Sequence, residues 1–197
     1  MQTEIEAKFL DQDHRAIRLC LQDLGAELLF PMRLMKRRNF DFPNGSLEKI
    51  AGWVRVRDEG NRLTLSYKQL NDRSLHGTKE INLTIDDFSA ACDFLCALGL
   101  RQTSYQETQR ESWALDGVSV ELDEWPWIKP FLEIEAVDEK SLKAVVRKLD
   151  LDINQAVHGS VENAYQAEYD VTEAEVDHIP EIIFGPTPKW LEARRKV

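Results

Sequence analysis

Several short segments set charged residues in strict alternation with apolar ones. Glu4, Glu6 and Lys8 alternate with Ile5, Ala7 and Phe9. Arg55 and Arg57 alternate with Val54 and Val56, and Lys68 stands in phase with Thr64 and Ser66 against Leu63, Leu65 and Tyr67. Further on, Glu121 and Asp123 oppose Val120 and Leu122, and Glu133 and Glu135 oppose Leu132, Ile134 and Ala136. Clustered carboxylates without histidine or cysteine suit a hard divalent cation, Mg²⁺ or Mn²⁺. Arginine offers planar forks matched to phosphate oxygens, and lysine a mobile point charge. Acids and bases of these kinds in one place would suit a metal–polyphosphate complex. Chemistry on such a ligand is mostly positioning and neutralisation of spread charge, with a metal able to activate water, so no His or Cys nucleophile is required.

These side chains need strands to aim them, because residues two apart on a strand share a face. Strands are expected at Glu4–Phe9, Arg38–Phe42, Trp53–Arg57, Leu63–Lys68, Thr78–Thr84, Gln102–Ser112, Val118–Asp123 and Phe131–Val137. Glu59-Gly60-Asn61 and Asp116-Gly117 provide hairpin turns. Helical spacing predicts helices over Asp11–Leu24, Asp86–Leu98 and Asp138–Leu149, the first two ended by glycine. The class is α+β with a largely antiparallel sheet. For any one strand, a solvated outer face explains the alternation. Together the strands repeat like charges on one face, which weakens a sheet unless something compensates. A closed or nearly closed barrel resolves this: acids and bases meet across a charged lumen, and the apolar faces point outward under the helices.

Composition agrees with a globular chain. Among 197 residues, 43% are hydrophobic and 30% charged, enough apolar material for a core. The formal net charge of −10 disfavours general nucleic-acid binding, so a polyanion must be met by locally converging bases or by metal ions. No apolar run reaches membrane-spanning length, and Met1-Gln2-Thr3-Glu4 does not open a signal peptide. The cysteines Cys20, Cys92 and Cys96 form no C-x-x-C pair and read as buried free thiols, which makes a reducing cytoplasm the expected location. No P-loop, no dinucleotide fingerprint and no H-E-x-x-H is present. His14, His76, His158 and His178 are scattered and read as structural or surface residues, and Trp125 and Trp127 as packing residues.

The charged segments resemble the CYTH family, also called triphosphate tunnel metalloenzymes. Glu4-Ile5-Glu6-Ala7-Lys8 matches its E-x-E-x-K signature. Arg55-Val56-Arg57, Leu65-Ser66-Tyr67-Lys68, Lys79-Glu80, Arg110, Glu121-Leu122-Asp123 and Phe131-Leu132-Glu133-Ile134-Glu135 follow in the family's order across about three-quarters of the chain. The resemblance implies one domain over residues 1–197: an eight-stranded antiparallel tunnel in about 1–150 and a C-terminal extension over about 151–197. It implies that Lys8, Arg55, Arg57, Lys68 and Arg110 bind a triphosphate. Glu4, Glu6, Asp123, Glu133 and Glu135 would serve Mg²⁺ or Mn²⁺, with Glu4, Glu6 and Lys8 as the catalytic group and Glu80 and Glu121 supporting the lumen. One departure stands out. Many members carry a lysine two residues before the late arginine, where this chain has Thr108; Lys79, Lys129 or one of Lys36, Arg37 and Arg38 could supply the missing cation.

Two reactions fit such a tunnel. One is hydrolysis of a triphosphate such as ATP, tripolyphosphate or thiamine triphosphate, and it needs only the parts visible in the sequence. The other is cyclisation of ATP to cyclic AMP and pyrophosphate, as in class IV adenylyl cyclases, which also needs a nucleoside pocket that leaves no short motif. Asn39-Phe40-Asp41-Phe42-Pro43 resembles a pattern of cyclase-like members but is shared with thiamine triphosphatases. A non-catalytic polyphosphate or nucleotide sensor is the third reading, and the full acidic set argues against it. The expected partner is a small-molecule triphosphate, with neither nucleic acid nor membrane; the oligomeric state is left open, a homodimer included.

Overall fold

Alternation in the sequence becomes a sheet that closes on its own first segment. A computed structural model describes residues 2–3, 5–72 and 74–196. Its strands are β1 (Gln2–Thr3), β2 (Ile5–Phe9), β3 (Glu27–Asp41), β4 (Gly52–Asp58), β5 (Leu63–Leu70), β6 (Thr78–Ile85), β7 (Arg101–Leu115), β8 (Val118–Glu124) and β9 (Phe131–Ala136). They pair antiparallel in the order β1-β6-β5-β4-β3-β7-β8-β9-β2. Both ends of that order lie in the first nine residues, so the sheet curls until its ends meet on the N-terminal segment. Counting that segment once, eight antiparallel strands surround a lumen, as expected.

Helices α1 (His14–Asp23), α2 (Phe88–Ala97) and α3 (Glu139–Lys148) cover the outer face. Each begins one or more residues later than its sequence pattern, because Asp13, Asp87 and Asp138 serve as N-caps whose carboxylates accept backbone N–H groups. α1 and α3 bury Ile17, Leu21, Leu142, Val145 and Val146 against Ala7, Phe9, Val120, Leu122, Leu132 and Ile134. α2 buries Ala91, Cys92 and Leu95 against Phe40 and Val56. Each fully buried aliphatic side chain of this kind contributes roughly 1.5–3 kcal/mol, and the outward apolar faces thereby fix which faces turn inward. Cys92 is buried and Cys20 half-buried, but Cys96 is exposed, against expectation. The buried stripe of α2 runs through Ala91, Cys92 and Leu95, and Cys96 lies one position past it.

The largest departure from the sequence pattern is β3. It spans fifteen residues rather than Arg38–Phe42, and it runs through Pro31. Pairing explains the tolerance. β4 pairs with β3 only over Lys36–Phe40, so around Pro31 one side of β3 is a free edge, where a missing N–H removes no ladder bond. Register shifts on the β7 side, between Leu28 and Phe30 and between Phe30 and Arg33, absorb the irregularity.

Beyond α3 the chain adds α4 (Glu162–Glu168), α5 (Glu173–Asp177), strand β10 (Glu181–Ile182) and α6 (Lys189–Glu192). Thr172 and Glu175 form the expected capping box of α5. β10 pairs parallel with β7. Val161, Ala164, Tyr165, Tyr169, Val176, Ile179, Ile182 and Leu191 pack on Trp125 and Phe131 as a separate apolar cluster. Tyr165 Oη donates to the Pro126 carbonyl (2.9 Å) and Tyr169 Oη to that of Trp127 (2.5 Å). The tail is thereby bolted to the loop that carries Trp125.

Candidate functional site

The inward faces enclose a cavity of about 1300 Å³. Its walls carry Glu6 and Lys8 from β2, Arg55 and Arg57 from β4, Lys68 from β5, Glu80 from β6, Arg110 from β7, Glu121 and Asp123 from β8, and Glu133 and Glu135 from β9. Every sequence-predicted site residue is therefore brought to one lumen except Glu4, which lies outside the described residues.

Register decides who meets whom. Glu6 lies opposite Glu135, and Lys8 opposite Glu133, on the β2–β9 ladder. Lys8 Nζ donates to Glu6 Oε1 (2.9 Å) and to the carbonyl of Gly159 (2.7 Å), and it lies 3.2 Å from Glu133 Oε2. Three acceptors for three ammonium protons hold the charge in one place. The tail fixes this strand further: Lys8 and Val157 exchange backbone hydrogen bonds of 3.0 and 2.9 Å. Burial alone would lower the Lys8 pKa, but the Glu133 and Glu6 carboxylates outweigh it and raise it.

Arg110 lies opposite Asp123 and binds it with a fork, Nε to Oδ1 at 2.6 Å and Nη2 to Oδ2 at 2.5 Å. The same Nη2 donates to Glu133 Oε1 (3.1 Å), and Glu121 Oε2 stands 4.0 Å from Nε. Glu133 thus bridges Lys8 and Arg110. Against a burial that would raise it, those two cations hold the Glu133 carboxyl far below the usual carboxylate range. Asp123 is pushed up by burial despite Arg110, and solvent-reached but crowded Glu135 is pushed up by burial and then by Glu133. On the other wall Arg55 Nη2 and Lys68 Nζ approach Glu80 Oε1 at 3.6 and 3.7 Å. Arg57 binds Glu59, which also takes Arg62 Nε at 2.8 Å. Burial works against Glu59, but Arg57 and Arg62 bring its pKa down to about 2.

Two lumen cations were not among the expected set of ligands. Arg33 and Arg37 lie on the inner face of β3. Arg33 lies directly opposite Arg110, and Arg37 directly opposite Arg57. Like charges across a ladder repel. Arg33 spends its donors on the carbonyls of Glu59 (2.9 Å) and Arg110 (3.0 Å) and on Ser112 Oγ (3.1 Å). Of the cations that could stand in for one at position 108, Arg37 alone enters the lumen. Lys36 and Lys79 are exposed, Arg38 turns outward over Phe88 (5.6 Å), and Lys129 pairs with Asp11 at the surface (2.6 Å).

The donor set can be tested against a divalent ion. It is all carboxylate, and repulsion between Glu133 and Glu135 would be relieved by a cation. Among the described residues no three acids converge into a cage.

The tail contributes a second acidic feature to the cavity lining, Glu162 with Asp177. Glu162 is buried there, and burial followed by the charge of Asp177 pushes its carboxyl up to about 8. A folded pKa above the unfolded 4.5 means that stability from this group is complete below about 4.5 and is lost as pH rises through about 8. Wild type is therefore expected to lose stability relative to Glu162→Gln across that window. Urea unfolding at intervals from pH 5 to 8.5 checks it, and parallel curves for the two proteins would remove Glu162 as the cause.

Both the sequence and the fold have known counterparts. Residues 2–165 match the family model for the CYTH domain. None of the curated proteins matches the chain in sequence. Among solved structures, a candidate adenylate cyclase from Vibrio parahaemolyticus superposes with a TM-score of 0.72 at 16% identity, covering 84% of this chain and 98% of the other. A candidate adenylyl cyclase from Hippeastrum, described as having a dominant triphosphatase activity, gives 0.60 at 15% identity, covering 91% and 97%. The PH1012 protein of Pyrococcus horikoshii gives 0.65 at 24% identity, covering 78% and 93%.

Proposed function

From the premise that this chain belongs to the CYTH domain family, we propose that it is a divalent-metal-dependent triphosphatase whose substrate lies in the tunnel. The observation that carries the reading is the arginine register: Arg37 faces Arg57 and Arg33 faces Arg110 in one lumen, an arrangement that calls for a polyanion.

Across the lumen acids and bases neutralise each other, Lys8 with Glu6 and Glu133, Arg110 with Asp123 and Glu133, Arg55 and Lys68 with Glu80. Substrate binding is then an exchange of partners. Phosphate oxygens would take Lys8, Arg55, Arg57, Lys68 and Arg110, and the carboxylates so released, Glu6, Glu133 and Asp123, would hold Mg²⁺ or Mn²⁺ together with Glu135 and Glu4. A bound ion would neutralise phosphate charge and lower the pKa of a coordinated water. The side chains hold the triphosphate in line and spread its charge, which is most of what phosphoryl transfer requires.

Cyclisation of ATP is the second reading, and cavity size is what favours it. About 1300 Å³ exceeds what a triphosphate alone fills, and Trp53 and Trp125 give part of the lining an apolar character. The test is to incubate the protein with ATP and, separately, tripolyphosphate, each with Mg²⁺ or Mn²⁺, and to resolve the products. Orthophosphate is the expected product. Cyclic AMP with pyrophosphate would replace the hydrolase reading by the cyclase one. Metal-dependent binding of both compounds without turnover would leave a sensor, or an enzyme for another triphosphate.

A further inference from the structure

Arg37 is a buried cation in search of an anion. It is 7% exposed, on the β3 face that lines the tunnel. Its Nη2 donates to Thr108 Oγ1 at 2.5 Å, and its guanidinium lies 4.7 Å from the centre of the Trp125 ring. Its Nε is buried without a hydrogen-bond partner. Among the described residues it forms no ion pair. Asp123, the acid that most favours its charge, is already held by the fork of Arg110, while Arg55, Arg57 and Arg110 all repel it. A buried charge beside three like charges is costly unless something compensates. The stack on Trp125 and the Thr108 hydroxyl orient the group and do not neutralise it.

Resting on the triphosphate-tunnel reading above, we propose that Arg37 is a further phosphate-binding residue, which grips the substrate phosphate lying toward Trp125 and supplies the cation that Thr108 does not. The local build fits this. Arg37 and Thr108 touch, so a basic side chain at either position would bring its charge to the same part of the lumen. The planar fork has one edge on Thr108 and its Nε side unsatisfied, leaving donors for phosphate oxygens. Trp125, the platform, is held by the tail cluster of Tyr165, Val161 and Ile182, so the C-terminal extension helps aim this cation.

The test uses the full chain, with tripolyphosphate and Mg²⁺ as the probe, read by calorimetric titration alongside the melting temperature of the unliganded protein. Arg37→Met is expected to weaken binding about 10- to 100-fold, the scale of a charge-assisted hydrogen bond. Its unliganded melting temperature is expected to stay the same or rise, because an uncompensated buried cation has been removed. Arg37→Lys, which keeps the charge without the fork, is expected to fall between. Adding Thr108→Lys to Arg37→Met is expected to restore at least tenfold of the lost affinity. Wild-type affinity in Arg37→Met would overturn the inference, as would a binding loss matched by a lower melting temperature and not rescued by Thr108→Lys. If wild type itself binds neither tripolyphosphate nor ATP, the tunnel reading falls and takes this inference with it.

Discussion

Arg110→Met is expected to destabilise the fold by about 3–5 kcal/mol at neutral pH, the usual scale for breaking a buried charge network from one side. Methionine replaces the stem of the arginine but none of its donors. Asp123 is 1% exposed and loses both arms of its fork, Glu133 loses its 3.1 Å partner, and Glu121 loses the nearest positive charge. The three acids are neighbours, with Glu121 opposite Glu133 across the β8–β9 ladder. In the wild type, burial already pushes Asp123 up against the pull of Arg110. Without that pull the folded pKa of Asp123 rises further above its unfolded value, and that of Glu133, which Arg110 helps Lys8 to hold down, climbs back toward it. A carboxyl raised on folding stabilises at low pH and loses that contribution as pH rises, so the penalty is largest at neutral pH and shrinks toward pH 5. Urea unfolding of both proteins at pH 7 and pH 5 checks this. An equal difference at both would mean that packing, not charge, is what Arg110 provides. Mg²⁺ is expected to stabilise the variant more than wild type, because the acids it exposes are those proposed to hold the ion.

What the sequence disclosed and what it concealed have separate physical causes. The lumen positions of Glu6, Lys8, Arg55, Arg57, Lys68, Asp123 and Glu133 were legible because each alternates with apolar residues, and burial of the apolar face leaves one choice for the other. The closing of the sheet could be argued from the repeated like charges. Arg33 and Arg37 were hidden for the opposite reason. Pro31 suggests a break, and Lys36-Arg37-Arg38 is basic at every position, so no alternation says which of the three turns inward. Only the pairing of β3 with both β4 and β7 decides it, placing Met35, Arg37 and Asn39 inside and Lys36 and Arg38 outside. The tail was illegible because its contribution is backbone: the Gly159 carbonyl holds Lys8, and the carbonyls of Pro126 and Trp127 receive Tyr165 and Tyr169. Carbonyl groups carry no sequence signature. Cys96 was misread because Cys92 and Cys96, four apart, straddle the edge of a stripe whose centre is Leu95.

Glu6→Gln separates charge from shape at the opposite end of the network, and it is expected to retain the fold while metal-dependent turnover falls about 10²- to 10³-fold. Glutamine fills the same volume, and its amide oxygen can still accept the 2.9 Å hydrogen bond from Lys8 Nζ, which Glu133 and the Gly159 carbonyl also hold. The strand therefore keeps its anchors, and the melting temperature should move little. What disappears is one negative charge opposite Glu135, on the wall proposed to take the cation. The partner-exchange reading makes a sharper demand than lost rate. If phosphate must displace Glu6 and Glu133 from Lys8 before those acids can hold an ion, then tripolyphosphate must raise the affinity for Mg²⁺, and Mg²⁺ the affinity for tripolyphosphate, by the same factor. Glu6→Gln lacks one of the released charges, so that factor is expected to shrink in the variant. Titrating each ligand with and without the other, in wild type and variant, measures it. Unchanged coupling together with unchanged turnover would remove Glu6 from the metal site, while unequal coupling factors in wild type would point to a second binding location for one of the two ligands.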